Sequence, residues 1–129
     1  RKPLHTLSPT MWSVDGNLDM IIGTRGGRYQ PQLLSHFILK ILKNENLENA
    51  MNAPRWNIDE FGKETVSEIN IEPGLDEKII DVLINKGHKV NQLTKLQNSY
   101  GPISAIVKNN ENWIALHDIR VDTSSSIIE

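Results

Sequence analysis

Residues 10–27 read Thr-Met-Trp-Ser-Val-Asp-Gly-Asn-Leu-Asp-Met-Ile-Ile-Gly-Thr-Arg-Gly-Gly and carry the strongest structural signals in the chain. Two strand-like runs, 10–14 and 18–22, flank Asp15 and Gly16, and an Asp-Gly pair favours the positive φ angles of a tight hairpin turn. The second run leads directly into a glycine-rich loop, residues 23–27. The stretch therefore predicts a β-hairpin whose second strand ends at a loop with few side chains.

Helical patterns follow this loop. Pro31 is suited to the first turn of a helix, where its missing N–H costs nothing. The apolar stripe of that helix consists of Leu33, Leu34, Phe37, Ile38, Ile41 and Leu42. A second, short helix is predicted over 47–53, and Pro54 stops it. A third is predicted over 76–86, with Gly87 as its C-terminal cap and with a buried face made of Ile79, Ile80, Leu83 and Ile84.

Extended segments occupy much of the remaining chain, over 55–59, 66–71, 89–93, 103–107 and 113–116. The resulting order is two strands, two helices, two strands, one helix and three strands. That order predicts an α+β fold rather than the regular alternation of a doubly wound sheet.

Composition limits the classes of function. The 129 residues fit one domain at about 150 residues per domain. The absence of cysteine excludes disulfides, thiolate metal sites and a cysteine nucleophile. Fourteen basic and sixteen acidic residues give a net charge of −2, which supplies no general attraction to nucleic acid or to an anionic membrane. The longest apolar runs fall far short of the ~20 residues that span a bilayer.

The glycine loop is the strongest candidate site. Gly23, Gly26 and Gly27 lie between a predicted strand and a predicted helix, where backbone N–H groups can point at an anion with the help of the helix dipole. The loop is not a Walker motif, since no Lys-Ser/Thr follows, and it does not match the dinucleotide fingerprint. The alternative interpretation is a tight strand-to-helix turn without a ligand.

Other polar residues carry weaker signals. His5, Thr6 and Ser8 could orient a substrate carboxylate, although on sequence alone a capped, irregular entry to the first strand is the favoured interpretation. The four histidines have no metal-ligand spacing, so no metal site is predicted. Asp118 and Arg120 could form a fixed ion pair, but the default interpretation is a solvated charged end.

Several segments, taken in order, resemble the C-terminal part of the small subunit of gamma-glutamyltransferases. Pro3–Thr10 resembles the family's Pro-Leu-Ser-Ser-Met-Ser-Pro-Thr segment, and Gly23–Gly27 resembles its Gly-Ser-Pro-Gly-Gly loop. Ala50–Arg55 is similar to an Ala-x-x-Ala-Pro-Arg segment. Two later landmarks also match, namely Leu83–Val90 and Asp118–Arg120. The ordered set is specific, although each fragment alone is not.

The resemblance implies an N-terminal-nucleophile hydrolase with a four-layer αββα sandwich matured by self-cleavage. The family's nucleophile is the N-terminal threonine of the small subunit, a role that Arg1 cannot take. Residues 1–129 are therefore expected to be the C-terminal portion of the small-subunit catalytic domain, incomplete and inactive alone. The expected partner is the remainder of the same enzyme, and unpaired strand edges favour a homodimer or aggregation of the isolated chain.

The resemblance also assigns roles to individual residues. Gly26 and Gly27 match the pair whose amides form the oxyanion hole. His5 and Thr6 match two serines that hold the substrate's α-carboxylate, and only Thr6 keeps the hydroxyl. Arg25 replaces a proline and adds a cation at the substrate site. A gamma-glutamyl small molecule is the expected substrate, and no cofactor, metal, nucleic acid or membrane is expected.

Three functions remain open at this point. The first is cleavage of gamma-glutamyl amides through an acyl-enzyme, with transfer to water or an amino acceptor. The second is cleavage of another acyl amide, suggested by His5 and Arg25. The third is a non-catalytic scaffold or interaction module.

Overall fold

The predicted hairpin opens the computed structural model, which describes residues 9–58, 68–122 and 127–128. The described elements, in chain order, are β1 (Thr10–Val14), β2 (Asn17–Thr24), a 3₁₀ turn (Gly27–Tyr29), α1 (Gln30–Leu42), α2 (Leu47–Asn52), β3 (Trp56–Ile58), β4 (Glu68–Ile71), α3 (Glu77–Asn85), β5 (Lys89–Gln92), β6 (Ile103–Asn109), β7 (Asn112–Leu116) and β8 (Ile127–Ile128). This order confirms the predicted α+β class. The 3₁₀ turn and β8 were not predicted.

The chain divides into two compact units, residues 1–52 with 101–129 and residues 53–100. The first unit contains a five-stranded sheet in the order β1-β2-β6-β7-β8, in which all neighbours are antiparallel. At the β1–β2 turn, Asp15 and Gly16 have φ angles of 50° and 81°, as the Asp-Gly signal predicted. β2 is longer than predicted, because Gly23 and Thr24 continue its pairing with β6.

The core of the first unit lies between one face of the sheet and the two helices α1 and α2. Alternate residues of β2 and β6 turn inward, as strand geometry requires. The buried members are Met20, Ile22, Leu34, Phe37, Ala50, Met51, Ile103, Ala105 and Val107. The predicted stripe of α1 is correct except at Leu42, which is 70% exposed because it lies in the last turn, where the helix ends in solvent.

The opposite face of this sheet, here called the outer face, is also partly apolar. Met11 pairs with Ile21, Ile21 with Ile106, and Ile106 with Ala115, so these side chains share one face. Met11 is 77% exposed and Ile106 39%.

The second unit is a three-stranded sheet, β3-β4-β5, with α3 packed on it. β4 and β5 are parallel, and α3 connects them. Asp76 caps α3 by accepting the Lys78 N–H at 2.9 Å, and Gly87 beyond its end has a φ of 88°.

The predicted buried face of α3 is too wide. Ile80 is buried and Leu83 packs against the core, whereas Ile79 and Ile84 are 48% and 52% exposed. A single short helix on a three-stranded sheet covers only a narrow stripe, so its flanking isoleucines remain at the surface. Among the described residues, no helix has the length and apolar character needed to cross a bilayer.

Candidate functional site

The predicted glycine loop, residues 23–27, is divided in the structure: Gly23 and Thr24 end β2, and Gly27 begins the 3₁₀ turn that precedes α1. Gly26 has φ 148° and ψ 15°, and Gly27 has φ 54°, conformations that residues with a β-carbon rarely adopt. Their carbonyl groups are engaged, since the Tyr29 N–H donates to Gly26 O at 3.0 Å and the Gln30 N–H donates to Gly27 O. The loop is therefore held in shape through its oxygens.

The two amides are not engaged in the same way. Neither the Gly26 N–H nor the Gly27 N–H donates to a residue in the described part of the chain. Gly26 is half-buried and Gly27 is exposed. Free N–H groups are expected here, because the first amides of a helical segment have no partner within it. The structure therefore leaves two adjacent backbone donors without an acceptor among the described residues.

Gly26 packs against the backbone of Gly101, just before β6. A β-carbon on Gly26 would lie 3.1 Å from the Gly101 Cα and 3.2 Å from Leu33 Cδ1. Gly101 has a φ of 56°, and a β-carbon there would overlap both Leu33 Cδ1 and the Arg25 carbonyl oxygen. The loop thus rests on a glycine–glycine contact that side chains would prevent. Gly101 was not identified from sequence, although the Gly-Pro pair at 101–102 is a turn signal.

The Thr24 hydroxyl ties the end of β2 to the same segment. Its Oγ1 lies 2.7 Å from Gly101 O, 3.0 Å from Pro102 O and 2.9 Å from Arg25 O, and Thr24 is buried. Because the hydroxyl has one proton, it donates to these carbonyls in turn or in a shared bond, with the shortest distance to Gly101.

Asp118 and Arg120 form a buried ion pair. Arg120 Nη1 lies 3.1 Å from Asp118 Oδ1, and both side chains are fully buried. Asp118 Oδ1 also accepts the Arg120 N–H at 3.0 Å, and Oδ2 accepts the Ile103 N–H at 2.9 Å. The default interpretation of a solvated charged end is wrong, because the carboxylate replaces water with a guanidinium and two backbone amides.

The remaining predicted site residues are placed as follows. Arg25 is exposed and directly precedes the two amides, and Arg28, not identified from sequence, is exposed directly after them. His5 and Thr6 lie outside the described residues, so their predicted roles stay predictions. Within the described residues, no cluster of three or more His, Cys, Asp or Glu side chains could hold a metal ion.

A cavity of about 320 Å³ lies beside Gly23. Its walls are mostly apolar and include Ile21, Gly23, Ser104, Ile106, Ala115 and His117. Gly23 contributes no side chain to this cavity, and Arg25 follows it two residues later in the chain.

Comparison with known proteins gives one consistent result. A profile of the gamma-glutamyltranspeptidase family matches residues 1–128. The chain is 27% identical over 115 residues to the glutathione hydrolase-like YwrD proenzyme of Bacillus subtilis (strain 168), covering 88% of this chain and 22% of that protein. It is also 27% identical over 109 residues to the oxamate amidohydrolase proenzyme of Klebsiella pneumoniae, covering 84% of this chain and 21% of that one. The chain thus spans about a fifth of the curated relatives.

Solved structures show the same fold. The gamma-glutamyltranspeptidase of Pseudomonas nitroreducens, complexed with L-DON, superposes with a TM-score of 0.80 at 21% identity, covering 100% of this chain and 65% of that chain. The transpeptidase CapD of Bacillus anthracis superposes with a TM-score of 0.69 at 24% identity, covering 92% and 68%.

Proposed function

The chain belongs to the gamma-glutamyltranspeptidase family, and we propose that its full-length protein cleaves gamma-glutamyl amides and passes the acyl group to water or an amino acceptor. One observation carries this proposal. The adjacent N–H groups of Gly26 and Gly27 have no acceptor among the described residues, while their carbonyls are fixed. Donors of this kind stabilise a developing oxyanion, at about 3 kcal/mol each.

The proposed nucleophile is the N-terminal threonine that the family resemblance implies, supplied by another part of the protein. Its hydroxyl attacks the amide carbonyl, and its own amine accepts the hydroxyl proton. The carbonyl oxygen becomes the oxyanion that the Gly26 and Gly27 amides bind. Collapse of this intermediate breaks the C–N bond, and the leaving amine takes the proton. Water or an amine then attacks the acyl ester through a second oxyanion in the same place.

We also propose that the first unit forms part of the four-layer αββα sandwich. Its outer face supports this proposal, because Met11, Ile21 and Ile106 form an apolar strip on a sheet face that α1 does not cover. A second sheet packed on this face would bury the strip. His5 and Thr6 are proposed to hold the acyl donor's α-carboxylate.

The test uses the full-length protein with a gamma-glutamyl anilide as acyl donor. We expect release of the aniline and, with a dipeptide present, formation of the gamma-glutamyl product. The mature N-terminus is sequenced by mass spectrometry in the same preparation. No release, with an N-terminal threonine present, would contradict the proposal and leave cleavage of another acyl amide or a non-catalytic scaffold.

A second acyl donor is favoured by Arg25. This residue replaces a proline of the family loop, is exposed, and precedes the two amides, so it adds a cation where a substrate's acyl group would lie. One relative is named an oxamate amidohydrolase, and oxamate carries an anionic acyl group. This name supports an anionic acyl donor for the present protein. The alternative function is cleavage of another anionic acyl amide.

A panel of donors separates the two substrates. Glutathione, gamma-glutamyl anilide, glutaryl anilide, oxamate and poly-gamma-glutamate are compared in the wild-type protein, the Arg25→Ala variant and a Lys78→Ala control on α3. If gamma-glutamyl donors fail while another acyl amide is cleaved, the alternative is correct. We expect Arg25→Ala to raise KM for the preferred anionic donor by about 10-fold, because that is the effect of losing one charge-assisted contact. Lys78→Ala should leave this KM unchanged.

A further inference from the structure

The amides of Gly26 and Gly27 depend on a second segment for their position. Residues 101–103, here called the support segment, lead into β6 and include its first residue, Ile103. Gly26 lies against Gly101 so closely that a β-carbon on Gly26 would reach to 3.1 Å from the Gly101 Cα. Any movement of the support segment at Gly101 is therefore transmitted to Gly26 by direct contact.

Buried side chains hold the support segment at both of its ends. At one end, Thr24 Oγ1 lies 2.7 Å from Gly101 O and 3.0 Å from Pro102 O. At the other end, Asp118 Oδ2 accepts the Ile103 N–H at 2.9 Å. The two contacts are made by different parts of the chain, because Thr24 ends β2 and Asp118 follows β7.

Asp118 is itself held in place. Its other carboxylate oxygen accepts both the backbone N–H and the guanidinium of Arg120, at 3.0 Å and 3.1 Å. Because neither side chain of the pair is exposed, both carboxylate oxygens are directed by protein groups rather than by water. The carboxylate therefore has one orientation in which it can meet the Ile103 amide.

We infer that Thr24 and Asp118 are positioning residues for the oxyanion-binding amides of Gly26 and Gly27. They act through the support segment and do not touch the substrate. The inference rests on the proposed function, because it concerns the same two amides. Oxyanion donors must lie about 2.7–3.1 Å from the developing charge, and a displacement of about 1 Å can cost 100-fold in rate. A fixed support segment provides that accuracy.

The test compares two substitutions of Thr24 in the full-length protein. Thr24→Val keeps the shape of the side chain and removes the hydroxyl, whereas Thr24→Ser keeps the hydroxyl. Ser35→Ala is the matched control, because Ser35 Oγ also donates to a backbone carbonyl, at 2.7 Å from Pro31 O, on the exposed side of α1. Asp118→Asn is the second site variant. Each is assayed for kcat and KM with the donor that the wild type prefers.

We expect Thr24→Val and Asp118→Asn to lower kcat by about 10- to 100-fold with KM changed less than about threefold, because an oxyanion forms in the transition state only. Thr24→Ser should restore kcat to within about threefold, and Ser35→Ala should match the wild type. A Thr24→Val protein that unfolds at lower denaturant but keeps kcat would overturn the inference. So would a change confined to KM.

A second readout does not depend on activity. The protein is labelled with ¹⁵N-glycine, and the amide resonances of Gly26 and Gly27 are compared between variants, with Gly16 in the β1–β2 turn as the internal reference. We expect both site amides to shift in Thr24→Val and to return in Thr24→Ser, while Gly16 stays unchanged. Unshifted site amides would refute the positioning role. If the wild type cleaves no donor, the proposed function falls, and the amide shifts still decide the inference.

Discussion

Replacing Gly26 with alanine perturbs the candidate site through the backbone alone. The new β-carbon would lie 3.1 Å from the Gly101 Cα and 3.2 Å from Leu33 Cδ1. The leucine methyl can rotate, but the Gly101 backbone cannot, so the loop must move by several tenths of an ångström. The φ of 148° adds strain for any residue with a β-carbon, at about 1–3 kcal/mol.

The displaced loop should bind the oxyanion poorly. Loss of one donor costs about 100- to 1,000-fold in kcat, and we expect Gly26→Ala to lower kcat by about 100-fold, because its amide is shifted rather than removed. The free energy of unfolding should fall by about 1–3 kcal/mol from the strain. The assays are steady-state cleavage of the preferred acyl donor by the full-length protein and denaturation in urea.

Gly16→Ala is the matched control for this prediction. Gly16 also has a positive φ, 81°, but a β-carbon there would meet nothing within 4 Å. Gly16→Ala should therefore lose stability and keep kcat. If Gly26→Ala loses stability to the same extent and keeps kcat within about threefold, which is less than any lost oxyanion donor costs, the assignment of this loop is refuted.

Three further predictions test the packing around the site and in the core. Gly101→Ala, whose β-carbon would overlap the Arg25 carbonyl oxygen, should lower the free energy of unfolding by about 3 kcal/mol; urea denaturation with an unchanged midpoint would contradict the close approach. Asp118→Ala should cost about 3–5 kcal/mol by leaving a buried guanidinium without its carboxylate, and adding Arg120→Met should recover part of that loss; no recovery would mean that the charge is not the cause. Phe37 is 1% exposed and Leu42 is 70% exposed. Phe37→Ala should therefore lower the free energy of unfolding by about 3–5 kcal/mol, whereas Leu42→Ala should change it by less than about 0.5 kcal/mol in thermal or urea denaturation. Equal effects would contradict the core assignment.

Local signals in the sequence were sufficient for most elements. Asp15 and Gly16 predicted the hairpin turn because only residues that tolerate positive φ fit there. Gly87 was predicted to cap the C-terminal end of α3, and it adopts a φ of 88° there. Asp76 was predicted as the first helical residue, whereas it is the N-cap that accepts the Lys78 N–H. Signals such as the Asp-Gly turn and the Gly87 cap act within a few residues.

Pairing between distant segments could not be predicted in this way. The parallel pairing of β4 with β5 is set by how α3 packs, and no residue in either strand specifies its neighbour. The exposure of Ile79 and Ile84 has the same origin, because periodicity gives an apolar face but not the width that its partner covers.

In the candidate site too, residues marked by local signals were identified from the sequence, and contacts between distant segments were not. Gly26 and Gly27 were identified from sequence because glycines between a strand and a helix indicate exposed amides. Thr24 and Gly101 are 77 residues apart in the chain, and their contact depends on the β2–β6 pairing. The sequence favoured a solvated Asp118 because charged residues are mostly exposed, whereas in the structure the Ile103 amide and Arg120 help to satisfy its buried carboxylate.

The most direct measurement is the kcat of a protein that lacks a single backbone N–H group. Replacing the peptide bond between Gly26 and Gly27 by an ester, through glycolic acid at position 27 of the full-length protein, removes the Gly27 N–H and leaves every side chain in place. We predict that kcat for the preferred acyl donor falls by about 100-fold or more while KM stays within about twofold. A kcat equal to that of the unmodified protein would contradict the role of these amides.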